Sequence, residues 1–306
     1  MFDFIKNKRW FFLGSTLVII LGFVFLGLLG PPLGIDFTGG TIMEVKFKQP
    51  VSLAQLRGKL AELGHGEALI QEHLGENSFT IRLKTLSEGE EGKITSALKG
   101  MGLSGTPSFD FVSNPVAREK ARGAAIAVVI ASIGILLYIA FAFRKLPNPF
   151  RYGVCAVIAL VHDALVVIAF FALLGRYLNL EINLMFITGV LTVIGYSVND
   201  TVVVFDRIRE NLGKYSGGKF EAIVNRSLIE TLGRSLNTSL TTLIVLVAIF
   251  LFVGPAIRSF ILALLVGIAS GTYSSIFIAA PLLVVWERGE LGQLFRRLRP
   301  GAATGR

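Results

Sequence analysis

The chain has 306 residues, of which 53% are hydrophobic and only 17% charged, and its mean hydropathy is +0.66. Such a composition excludes an ordinary soluble domain and indicates a polytopic α-helical membrane protein. The net charge of +9 comes with no recognisable nucleic-acid-binding module. It reads as a topology signal and an attraction to membrane lipid, and no nucleic acid is expected as a partner.

Six stretches are apolar and long enough to cross a bilayer, at about 20 residues per span: 10–29, 123–143, 152–174, 184–206, 235–253 and 259–284. The first follows Lys6, Lys8 and Arg9 and has no Ala-x-Ala cleavage site, so an uncleaved anchor is expected. Lys and Arg gather at the N-terminus, in the 144–151 loop, in the 207–234 connection and in the C-terminal tail, whereas the short opposite loops hold only Arg176 and Arg258. By the positive-inside rule both termini are expected to be cytoplasmic. The expected organisation is an N-terminus and first span at 1–29, an extracytoplasmic domain at 30–122, a five-helix bundle at 123–284 and a basic tail at 285–306. The bundle includes a cytoplasmic connection at 207–234 whose 219–231 stretch reads as an amphipathic surface helix.

Where the chain leaves the first span, Gly34, Asp36, Phe37, Gly39 and Gly40 form the run GIDFTGG. Its simplest reading is a turn joining an anchor to a strand, with glycine supplying positive φ or close backbone approach. The domain that follows is predicted as strand, helix, strand, strand, helix, strand. Strands are expected at 41–47, 67–74, 78–84 and 107–112, with a hairpin tip at Gly75-Glu76-Asn77. Helices are expected at 52–63, N-capped by Ser52, and at 87–101, opened by a Ser87-x-x-Glu90 capping box. This order is that of a ferredoxin-like α+β unit. From Asp36 to Arg122 its acidic and basic residues balance at eleven each, so it has no excess charge with which to recruit phosphate. His65 and His73 lack companion ligands, and no metal site is expected.

Polar residues inside the spans are few. Cys155 is a lone cysteine in an apolar run, which excludes a disulfide framework. His162 and Asp163 are adjacent in the third span; as neighbours they point about 100° apart on a helix, so they are not expected to chelate one ion together. The fourth span carries Thr188, Thr192, Ser197, Asn199 and Asp200, and the fifth Asn237, Thr238, Ser239, Thr241 and Thr242, with Arg234 at its mouth. Asp200 lies about 16 residues, roughly 24 Å, from the outer end of its span. An ionisable group at membrane depth costs several kcal/mol unless it pairs, neutralises or faces water, which makes Asp200 the leading functional residue. In low dielectric a carboxyl can take up and release a proton, and a movable arginine would switch that affinity. Asn199, Asn237 and Thr241 are candidates to flank the route, with His162 and Asp163 as secondary ones; each can also serve as interhelical glue. Gly267-x-x-x-Gly271, with Ser270 and Ser274, marks a small-residue face for close helix contact, within the chain or with a partner.

GIDFTGG, His162-Asp163, and IGYSVNDTVVVFDRIREN followed by NRSLIETLGRSLNTSLTTL together resemble the SecF family, the smaller subunit of the bacterial SecD–SecF protein-export complex in the RND superfamily. The resemblance covers essentially the whole chain. It implies one half of an RND-type unit in the bacterial cytoplasmic membrane, not an enzyme, needing no cofactor and using protons as the coupling ion. The implied partners are SecD, the SecYEG channel and the translocating preprotein, with YajC and YidC as further associates. The family's proton-relay aspartate falls on Asp200 and its functional arginine on Arg234. Two rivals follow from the residues alone. An intramembrane aspartyl protease would pair Asp163 with Asp200, although Ser-Val-Asn-Asp lacks the Gly-x-Gly-Asp pattern of such enzymes. A stand-alone RND exporter would need a second half and a larger outer domain. No GxxxxGK[ST] loop occurs, so ATP hydrolysis is not expected.

Overall fold

The structure is a computed structural model describing residues 3–73, 77–87, 89–178, 180–215 and 217–290, with the backbone alone at 176–178, 255 and 256. The basic tail from 291 onward, and Gly75 and Glu76 of the expected hairpin tip, lie outside the described residues. The chain forms two compact units, one comprising 33–125 with 181–184 and the other the remaining segments.

In the smaller unit a short helix α2 (Ile35–Thr38) precedes β1 (Gly40–Lys46), α3 (Leu53–Glu62), β2 (Leu69–His73), β3 (Ser78–Leu83), α4 (Glu90–Lys99) and β4 (Ser108–Val112). The strands pair antiparallel in the order β2-β3-β1-β4. Alternation puts Met43 and Val45 of β1 and Phe79, Ile81 and Leu83 of β3 on one face. Leu56 and Leu60 of α3 and Ile94 and Leu98 of α4 complete that core, each contributing about 1.5–3 kcal/mol by leaving water. Ser52 and Gln55 make a full reciprocal capping box at α3. At α4 only half of one forms. Glu90 Oε2 accepts from the Ser87 backbone at 2.7 Å, but the N-cap is Gly89, whose φ of 86° suits a residue without Cβ.

The other unit is a helical bundle. Six helical stretches among the described residues are long and apolar enough to cross a membrane. They are α1 (Lys8–Leu29), α5 (Asn114–Ala142), α6 (Pro149–Leu178), α7 (Leu184–Lys214), α8 (Phe220–Phe252) and a last one made of α9 (Pro255–Ser274), a π-turn (Ser275–Ala279) and α10 (Ala280–Glu287). The core of the bundle follows from burial: 72% of the apolar window of the last span is buried, against 6% in α5 and 17% in α8. Helix α5 begins in the smaller unit, within 33–125.

One expectation changes and one open alternative is resolved. The 219–231 stretch is no separate surface helix, because α8 runs unbroken from Phe220 to Phe252. Its apolar residues Ile223, Val224 and Leu228 are buried within the bundle. Gly267 and Gly271 make their close contact inside the chain: a Cβ on Gly267 would sit 2.2 Å from Val193 Cγ2, and one on Gly271 2.9 Å from Ser197 Cβ. The π-turn lies just before Pro281. Proline has no N–H for the preceding turn and crowds the carbonyl four residues back, and widening that turn relieves both.

Candidate functional site

Small hydroxyl residues recur every four positions on the buried sides of three helices: Ser197 and Thr201 on α7, Ser227, Thr231, Ser235 and Ser239 on α8, and Ser270 and Ser274 on α9. Four-residue spacing keeps them on one stripe, and their small size lets the backbones approach. Two carboxylates sit among them, in different situations.

Asp163 on α6, 1% exposed, is saturated. Ser197 Oγ and Ser274 Oγ each donate to Oδ2 at 2.7 Å, and Ser270 Oγ donates to Oδ1 at 2.7 Å. His162 Nδ1 meets Oδ1 at 3.1 Å. The two neighbours thus bond each other, which is a different arrangement from joint chelation of an ion. The His162 ring stacks on Tyr273 at 6.1 Å, and its buried Nε2 has no hydrogen-bond partner among the described residues.

Asp200 on α7, 5% exposed, is not saturated. The hydroxyls of Ser235, Thr272 and Ser239 stand beside its carboxyl, and the Arg234 charge is within electrostatic reach. Yet Oδ2 and Ser235 Oγ are both buried and outside hydrogen-bond geometry among the described residues. Ser239 Oγ and Thr272 Oγ1 bond one another, tying α8 to α9 next to the carboxyl. A carboxyl with an unused oxygen beside hydroxyls can accept a proton or a hydrogen-bonded water without rebuilding the bundle. Asp163 and Asp200 share no hydrogen bond among the described residues.

Of the other sequence candidates, Asn199, Asn237 and Thr241 are exposed on this chain, as is Arg234. Asn199 follows from its position one step from Asp200, about 100° around the helix. Ser235 and Thr272, which do border Asp200, were not singled out by the sequence; the four-residue hydroxyl period on α8 is the signal that finds Ser235. Past the membrane-depth stretch, α7 and α8 are pinned by Glu230. It accepts from Arg207 Nε at 2.7 Å, Asn211 Nδ2 at 2.8 Å and Arg226 Nε at 3.0 Å. Asp206 pairs with Arg209 at 2.5 Å.

Within the smaller unit, the Gly34–Gly40 run is an interlock rather than a simple turn. Asp36 Oδ1 pairs with Lys120 Nζ at 2.7 Å, and its Oδ2 accepts from the Leu184 backbone at 3.0 Å. Leu184 is the first residue of α7, so a carboxylate occupies the helix start, where free amides and the dipole favour it. Gly34 N donates to Ile182 O at 2.8 Å. A Cβ on Gly34 would sit 2.9 Å from Asn183 Cβ, and one on Gly39 would sit 2.1 Å from Asn114 Oδ1. Arg82 of β3 pairs with Glu181 and donates to Leu33 O at 3.2 Å. Phe37 is half-buried beside them.

Comparison with known proteins adds the following. The family model described as "Protein export membrane protein SecD/SecF, C-terminal" matches residues 93–289, and the SecD/SecF GG motif model matches residues 24–51. The chain is 47% identical to the protein translocase subunit SecF of Thermobaculum terrenum, over 99% of this chain and 100% of the relative. It is 41% identical to the SecF of Anaerolinea thermophila, over 98% of this chain and 99% of that one. Among solved structures it matches SecDF of Thermus thermophilus with a TM-score of 0.83 and 34% identity, covering 94% of this chain and 39% of that one. SecDF in its super-membrane-facing form matches at a TM-score of 0.67 and 31% identity, over 97% of this chain. The chain thus spans about two-fifths of the length of the SecDF chains it resembles.

Proposed function

Because the chain belongs to the SecF family of protein translocase subunits, a multi-pass membrane family of protein export, we propose that it is the SecF half of an assembly with SecD in which Asp200 cycles protons. The proton-motive force would thereby promote translocation and release of preproteins delivered through SecYEG. The observation that carries this reading is the contrast between two buried carboxylates. Asp163 has its acceptor sites filled by protein donors, whereas Asp200 keeps Oδ2 free beside hydroxyls and within reach of Arg234. A group held ready for a proton needs that spare valence; a structural one does not.

Two further features support a second half. The solved SecDF chains are more than twice as long as the segment matched here. Exposed Asn199, Arg234, Asn237 and Thr241 lie on helices otherwise suited to lipid; Thr241 donates to Thr238 O of its own helix at 2.9 Å, but the amides and the guanidinium at that depth need a polar neighbour. In this reading SecD covers them, YajC and YidC are further associates, and no cofactor is involved. The basic ends of α1, α6 and α8 face the cytoplasm and the ferredoxin-like unit faces outward, consistent with the Lys and Arg asymmetry.

Proton flux through vesicles containing this chain, SecD and SecYEG tests the proposal. Asp200→Asn is expected to abolish substrate-stimulated flux and the export gain from the proton-motive force while the complex still assembles. Arg234→Ala should do the same, and Arg234→Lys should be partial, keeping the charge but losing the guanidinium fork. Undiminished flux in Asp200→Asn would sink the relay.

A further inference from the structure

The end of the bundle where α1 and α8 begin and α10 finishes encloses a cavity of about 790 Å³. We propose that this cavity is a binding site for the phosphate headgroup of an anionic membrane lipid. The inference is independent of the proton cycle at Asp200.

The cavity is built by a specific fold of the N-terminus. Residues before α1 turn back onto α8, where Phe4 N donates to Asn225 Oδ1 at 2.8 Å. Phe4 and Phe11 both pack on Phe277 of the π-turn. This places the chain start against the α8 start and the last helix, leaving a bowl between them.

Its charge is sorted. Lys6, Lys8, Arg9, Lys219, Arg226 and Arg288 line it, against the four carboxylates Asp3, Glu221, Glu230 and Glu290, an excess of two positive charges. Three of the four carboxylates are ion-paired, and Asp3 is held by a backbone hydrogen bond. Lys8, 9% exposed, pairs with Glu290 at 2.9 Å. Burial would push the Glu290 carboxyl up, but Lys8 and Arg288 outweigh it and hold it below the usual carboxylate range. Glu221 pairs with Arg288, Glu230 with Arg207 and Arg226, and Asp3 Oδ1 accepts from the Lys6 backbone at 2.9 Å. Among the described residues, the ammonium groups of Lys6 and Lys219 and the guanidinium of Arg9 have no ion-pair partner. Three cations without an ion-pair partner, from two separate segments, therefore converge on one bowl against the single unpaired carboxylate of Asp3, which leaves the excess of two positive charges for an anion.

Depth selects the source of that anion. Lys8 opens the first membrane-crossing helix, and Trp10 two residues on is 75% exposed. An exposed indole at a helix end marks the headgroup level. Beyond Trp10, Leu13 and Leu17 are exposed along α1, giving the acyl chains a surface that continues from the bowl. A phosphodiester tethered to two acyl chains satisfies both parts; a free phosphate satisfies only the first. Basic juxtamembrane groups attract anionic headgroups by about 1 kcal/mol each.

Native mass spectrometry of the full chain released from membranes tests this. Phosphatidylglycerol, phosphatidylcholine and inorganic phosphate are added as separate probes, and the variants are the triple Lys6→Gln, Arg9→Gln, Lys219→Gln and the single Lys145→Gln as a basic control outside the cavity. The expected result is retention of phosphatidylglycerol over phosphatidylcholine by the wild-type chain and by Lys145→Gln, with about a fivefold loss for each charge removed in the triple variant. Equal retention of phosphatidylglycerol by the wild-type chain and the triple variant would overturn the site. Equal retention of phosphatidylcholine, or displacement of the lipid by millimolar phosphate, would overturn the lipid as its occupant.

Discussion

Asp163 and Asp200 are both buried aspartates on neighbouring central helices, and what separates them is the count of donors. Asp163 accepts from three serines and meets a histidine, so its removal strands four groups at once. At about 0.6 kcal/mol for each interhelical hydrogen bond in a membrane bundle, Asp163→Ala should cost about 2 kcal/mol, lowering Tm by roughly 5 °C. Asp200→Asn is nearly isosteric and breaks no hydrogen bond made by Oδ2, so its Tm should stay at the wild-type value. Thermal unfolding of both variants in detergent separates the roles. A large destabilisation by Asp200→Asn, with none from Asp163→Ala, would invert the assignment of relay and anchor. The same pair shows how far residues could be read from sequence. That Asp200 is special follows from one charge in an apolar run, but the saturation of Asp163 depends on serines 34 to 111 positions away. No local pattern exposes such distant partners.

Helix packing supplies the next constraint, and glycine sets it. Val193 fills the space that a Cβ on Gly267 would occupy, so Gly267→Ala must part α7 and α9 or force a rotamer change, at about 1–3 kcal/mol. Val193→Ala vacates that space. The double variant should therefore be more stable than the sum of the two single costs, a coupling measurable by denaturant or thermal unfolding; strict additivity would mean that the two side chains do not collide. The Gly267-x-x-x-Gly271 spacing made this face legible in advance, but not whether it met another part of the chain or a partner. Element order was largely legible, since hydropathy marks six spans and period-two alternation marks β1 and β3. Helix ends were not. Asn114 to Arg122, Arg207 to Lys214 and Phe220 to Arg234 are polar enough to look like connections, yet they extend α5, α7 and α8. Ion pairs such as Glu230 with Arg207 and Arg226 hold two of these extensions as helix, and those are tertiary effects that override local polarity. The GIDFTGG run was legible as glycine-rich, but its function as an interlock depends on Leu184 and Lys120, which are remote in sequence.

The bundle as a whole buries its helices unequally. Its last span is mostly buried, whereas α5 has few buried residues and alternates exposed with half-buried ones, as expected of an outer helix that faces lipid. Helices α7 and α8 depart from that pattern, because Asn199, Asn237 and Thr241 stand exposed among apolar neighbours such as Leu236, Leu240 and Ile244. Lipid cannot satisfy the two amides at that depth, and Thr241, whose Oγ1 already donates to Thr238 O at 2.9 Å, keeps its oxygen free to accept. If SecD covers this stripe, the polar groups cross-link the two halves by hydrogen bonds, each worth about 0.6 kcal/mol. Replacing all three by leucine would then weaken the association about twentyfold while improving the fit to lipid, so the chain should still insert and fold. The measurement is the fraction of tagged Asn199→Leu, Asn237→Leu, Thr241→Leu chain that retains SecD through dilution in detergent, beside the exposed apolar control Ile244→Ala. Loss of SecD from the triple variant alone supports a polar seam between the halves. Full retention would overturn the polar seam.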